Sequence, residues 1–139
     1  MPKTKKPSKA TKLDSRATFD ALKRLLTRHG TKLAVAKDKP SDYWAVVRGV
    51  ELRGKPLFFG GVREGKNYVS FHLLPVYACP ELLRGLSPAL KKRMQGKACF
   101  NFTAPDPALF RELAELTDAG LERFSSPKWL AAMERKGWS

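Results

Sequence analysis

The sequence predicts an α+β fold: an antiparallel sheet of four to five strands, packed on one face by N- and C-terminal helices in a two-layer sandwich. Three observations predict it. Apolar residues recur at helical spacing before Gly30, alternate between Lys32 and Leu74, and return to helical spacing after Pro88. The turns inside the middle block are too short for parallel crossovers, which need roughly a dozen residues. Strands segregated from helices in this way form one layer and the helices another.

Each element has its own signal. Asp14 and Ser15 are cap residues for a first helix that runs towards Gly30, with Phe19, Leu22, Leu25 and Leu26 on one stripe and Lys23, Arg24 and Arg28 between them. Gly30 is the expected left-handed terminator, and His29 sits in the last turn as an end-of-helix histidine. Extended stretches follow at Leu33–Ala36, Tyr43–Val47, Leu57–Val62 and Tyr68–Leu74. Turn chemistry separates them at Lys39–Asp42, Arg53–Pro56 and Glu64–Asn67. Pro75–Leu86 reads as an irregular crossover with a helical turn. Ser87-Pro88, Asp106-Pro107 and Ser126-Pro127 each set a side-chain acceptor at the cap and proline at the first helical position. The first of these helices runs from Pro88 to Gln95, stops at Gly96, buries Leu90 and Met94 and exposes Lys91, Lys92 and Arg93. The second buries Leu109, Phe110, Leu113, Leu116 and Phe124, and the third Leu130 and Met133 with Trp129 partly covered. Between the first two, Lys97–Thr103 alternates strictly and marks a last strand.

Length and charge bound the function. The chain has 139 residues, suited to one domain, and 42% hydrophobic residues to build its core. No stretch approaches the roughly 18 apolar residues of a membrane span, and two cysteines do not make a disulfide framework. Residues 1–12 carry five lysines and no acid, which predicts a disordered basic arm ahead of a single domain over 13–139. The arm lacks the apolar run of a secretory signal, so the expected location is cytoplasmic. Net charge is +14 overall, and it is uneven. Residues 106–124 hold five acids against two arginines, whereas residues 84–97 hold Arg84, Lys91, Lys92, Arg93 and Lys97 with no acid. A basic segment of this kind attracts polyanions, nucleic acid first among them.

Motifs for catalysis are missing. The chain has no Gly-x-Ser-x-Gly elbow, His-Glu-x-x-His, Cys-x-x-Cys or phosphate-loop pattern, so no nucleophile–base pair is nominated, no cofactor is implied and a non-enzymatic role is expected. His72, Cys79 and Cys99 are metal-capable but lack ligand spacing. Strand alternation is more informative. Val69, Phe71 and Leu73 should face the helices, together with Ala98, Phe100 and Phe102. The opposite face would then carry Tyr68, Ser70, His72, Cys99 and Asn101, with Thr103 beside them and Arg48 or Arg63 at the edge. Such a platform offers an alternative site for a small molecule or a metal ion. Trp44, Trp129 and Trp138 read as packing residues.

The runs Lys55–Gly61, Lys66–Leu73 and Leu86–Phe102 also carry a family resemblance. Lys-Pro-Leu-Phe-Phe-Gly-Gly, Lys-Asn-Tyr-Val-Ser-Phe-His-Leu and Leu-Lys-Lys-Arg-Met-Gln-Gly-Lys-Ala-Cys-Phe-Asn-Phe resemble the YdhG-like domain of unknown function, over roughly residues 43–124. The resemblance implies a frataxin-like layout, and through one member an iron-related alternative. Frataxin-type iron binding uses an acidic helical ridge; here the first helix has Asp14 and Asp20 against Lys23, Arg24 and Arg28. The YjbR-like proteins, a related small basic group of the same layout, are associated with DNA binding.

Overall fold

The computed structural model describes residues 11–136. Most of the expected arm, residues 1–10, lies outside them, as does Trp138. Elements follow in the order α1 (Thr11–Thr27), β1 (Leu33–Lys39), β2 (Asp42–Leu52), β3 (Lys55–Glu64), β4 (Val69–Leu73), α2 (Leu74–Ala78), a 3-10 turn (Pro80–Leu83), α3 (Pro88–Lys91), β5 (Met94–Gln95), β6 (Cys99–Phe102), α4 (Pro107–Phe124) and α5 (Pro127–Lys136). The strands form one antiparallel sheet in the order β1-β2-β3-β4-β6-β5. This is the expected α+β architecture, with helices packed on the sheet.

Two boundaries differ from the sequence reading. Among the described residues helix α1 takes in Thr11–Thr27, so Asp14 lies inside the helix rather than at its cap, and Thr11 and Lys12, read with the arm, are helical. The sheet has six strands, because the segment read as a helix to Gln95 makes only one helical turn. Gly96, with φ of 78°, is a hairpin residue there and not a helix stop. It lets Met94–Gln95 fold back as β5 against Cys99 and Phe100.

One face of the sheet makes the core. The row Tyr43, Val62, Phe71 and Phe100 runs across β2, β3, β4 and β6 in register, and all of its members are buried. Phe19, Leu22, Leu25 and Leu26 of α1 cover this face, with α1 seated over β3 and β4. Helix α4 completes the cover: Phe110 meets Phe102 edge-on at 4.8 Å, and Phe124 meets Phe59 at 6.2 Å. Trp129 of α5 stacks on Phe124 at 4.6 Å, but Leu130 and Met133 are only half-buried, since α5 lies at the margin of the core.

The three proline-marked caps all form. Ser87 Oγ accepts from the Leu90 N–H, Asp106 Oδ1 from the Leu109 N–H, and Ser126 Oγ from the Trp129 N–H. Ser87 is tied twice more, because its N–H and Oγ–H both donate to the Glu112 carboxylate of α4. That anchor places α3 against α4.

Candidate nucleic-acid interface

The basic segment begins just after the 3-10 turn and runs through α3 and β5 into the β5–β6 turn. Arg84, Lys91, Lys92, Arg93 and Lys97 are all exposed. Leu90 between them is fully buried, which pins the turn while the charged side chains point away. Among the described residues none of the five enters an ion pair. The nearest acids are engaged elsewhere. Glu112 accepts from Ser87, and Glu81 is bonded to Arg123. The Arg123 guanidinium is the main reason that the Glu81 carboxyl is held below its ordinary range, with Arg84 adding to the same field.

Several cations around α1 and β1 are paired instead. Arg16 pairs with Asp20 and Glu64, Lys23 with Asp38, Arg28 and His29 with Asp118, and Lys37 with Asp42. Exposed pairs of this kind contribute only about 0–1 kcal/mol to stability. Their larger effect is to cancel charge locally. His29, the expected end-of-helix histidine, sits 2.9 Å from Asp118.

Beside the basic segment lies an open cleft of about 690 Å³. Its walls are Val76, Tyr77, Ala78, Pro80 and Leu83 on the crossover and Met94 on β5, with Gly96 and Lys97 at the hairpin turn. Tyr77 is 42% exposed, an unusual position for a large ring next to a buried valine. From the sequence, Val76, Tyr77, Ala78, Pro80 and Leu83 fall only in an irregular crossover, and Met94, Gly96 and Lys97 at a helix end and strand start. Tyr77 between Pro75 and Pro80 was the available signal, but nothing local says that β5 folds back to face it.

The outer sheet face carries the alternative platform in two cross-strand rows. One row is Asp42, Arg63, Ser70 and Asn101; the other is Trp44, Gly61, His72 and Cys99. Four of the five expected platform residues therefore come together, while Tyr68 stands exposed ahead of β4. Of the two edge candidates, Arg63 is on this face. Arg48 instead donates to the Gly30 and Leu33 carbonyls at the α1–β1 junction. The polar side chains bond one another: Ser70 Oγ–H donates to Asn101 Oδ1 at 2.7 Å, and His72 Nδ1 lies 2.8 Å from Cys99 Sγ. Trp44 is not in the core but lies over Gly61, where an added Cβ would stand 2.2 Å from its ring, and beside His72 at 5.2 Å.

Burial pushes the Cys99 thiol above its ordinary pKa. Burial and then Arg63 push His72 below its own, against a smaller opposing pull from Asp42. Both shifts favour the neutral thiol and neutral imidazole. Cys79 is buried in the junction before the 3-10 turn, beside Arg123 and Trp129. Among the described residues no three His, Cys, Asp or Glu side chains group as a metal site, so His72, Cys79 and Cys99 do not form one. No helix of the described residues is long and apolar enough to cross a membrane. No protein-family model, curated protein or solved structure matches this chain.

Proposed function

We propose that this protein is a non-enzymatic, YdhG-like nucleic-acid-binding domain whose phosphate contacts come from Arg84, Lys91, Lys92, Arg93 and Lys97. The observation that carries the reading is that these five exposed cations cluster within residues 84–97 and enter no ion pair among the described residues, while Arg16, Lys23, Arg28 and Lys37 around α1 and β1 do. Uncancelled positive charge draws a polyanion in over a Debye length of about 8 Å. Contact with phosphates then releases condensed counterions, which drives binding without reading bases. Binding is therefore weakly sequence-specific and steeply salt-dependent, and a cytoplasmic location suits such a partner.

Fluorescence anisotropy of the full chain with labelled DNA, at about 50 and about 200 mM salt, tests this. The logarithm of affinity falls with the logarithm of salt by about 0.9 per duplex phosphate neutralised. Lys91→Ala and Lys92→Ala each make that slope shallower by about one. Undetectable binding at the lower salt, or a slope that neither variant changes, overturns the reading.

A further inference from the structure

We propose that the cleft between α2 and β5 holds an unpaired base of single-stranded nucleic acid, with the adjoining backbone phosphate on Lys97. This inference rests on the nucleic-acid reading above and names the form of the polymer. The cleft is lined by apolar side chains, with Lys97 its one charged member. Its volume of about 690 Å³ falls within the roughly 300–1,000 Å³ typical of sites for small organic groups. An aromatic ring, 42% exposed, lies on the wall. Met94 offers a soft, polarizable surface opposite the crossover.

These features select chemically. A bare phosphate or sugar phosphate gains nothing from apolar walls, and an uncharged apolar group gains nothing from Lys97. A base on its sugar-phosphate backbone uses both. Stacking on Tyr77 requires a base face free of its neighbours, which a duplex withholds and a single strand provides. Gly96 shapes the entrance: its left-handed backbone turns the hairpin tightly and brings Lys97 to the rim without a side chain of its own. Lys91, Lys92 and Arg93, exposed just before β5, lie in the same chain segment as the rim and extend the cationic track beyond a single nucleotide.

The test compares labelled oligo(dT) of roughly 12 nucleotides with a hairpin duplex of similar charge, using the full chain and anisotropy at about 50 mM salt. The single strand is expected to bind about tenfold more tightly, and Tyr77→Ala to remove about that factor on the single strand alone. Tyr77→Trp should retain the preference, since it keeps a stacking ring. Tyr77 is exposed, so unchanged thermal unfolding of both variants separates lost stacking from lost folding. If Tyr77→Ala binds oligo(dT) like the parent, or the duplex binds as well as the single strand, the cleft is not a base site and the nucleic-acid reading survives. Failure of both polymers to bind overturns both.

Discussion

At the scale of single residues, His72 links the outer sheet face to pH. Its folded pKa is lowered from 6.5, chiefly by burial and then by Arg63. The unfolded chain therefore takes up a proton near pH 6.5 that the folded chain does not. Because the unfolded state binds more protons there, stability falls as pH drops below that value, until the folded pKa is reached. Replacing His72 by Gln removes this contribution. Between about pH 7.5 and about pH 5.5, the urea midpoint of His72→Gln should fall less than that of the parent. Equal falls would show that His72 contributes nothing to acid sensitivity. Alternation along β4 and β6 was enough to place His72, Ser70, Cys99 and Asn101 on one face. That they would satisfy each other in pairs depends on the β4–β6 register, which no single strand encodes.

At the scale of elements, the caps do the placing. Asp106 accepts from the Leu109 N–H at 3.1 Å at the start of α4, the helix whose Phe110, Leu113 and Phe124 face the sheet. Asp106→Ala leaves that N–H without its acceptor and should cost about 1 kcal/mol in urea unfolding, while Asp106→Asn stays close to the parent. A neutral alanine variant would mean that packing alone holds the helix start. Cap-and-proline pairs are legible in sequence because donor and acceptor are three residues apart. The end of α3 was not legible. Leu90, Met94 and the exposed Lys91, Lys92 and Arg93 suit a longer helix as well as they suit one turn followed by a strand. The choice falls to the exposed edge of β6, whose backbone groups gain partners from β5.

For the whole molecule, charge placement matters more than charge total. Strand β1 and strand β5 are the two edges of the six-stranded sheet. At about 4.8 Å between neighbouring strands, they stand roughly 24 Å apart. That is several Debye lengths at physiological salt. Lys32 and Lys39, at the β1 edge, should therefore contribute little to a polyanion held near β5. The double variant Lys32→Ala/Lys39→Ala is expected to keep DNA affinity within about twofold at about 150 mM salt, and Lys92→Ala/Arg93→Ala to lose about tenfold or more. Both remove the same charge. Equal losses would show that net charge, rather than its location, drives association.

By itself the sequence determined the α+β class, the turns between β1 and β4, the three proline-marked helix starts and the buried faces of β4 and β6, because these follow from spacing and turn chemistry within a few residues. It also showed the acid-free stretch from Arg84 to Lys97. Only the tertiary structure decided that Glu81 and Glu112 are taken up by Arg123 and Ser87, leaving that stretch unmatched among the described residues. It alone set Tyr77 and Lys97 on one cleft, 20 positions apart in the chain. The physical reason is that pairing and concavity are relations between distant segments, created when the sheet closes and brings their surfaces together.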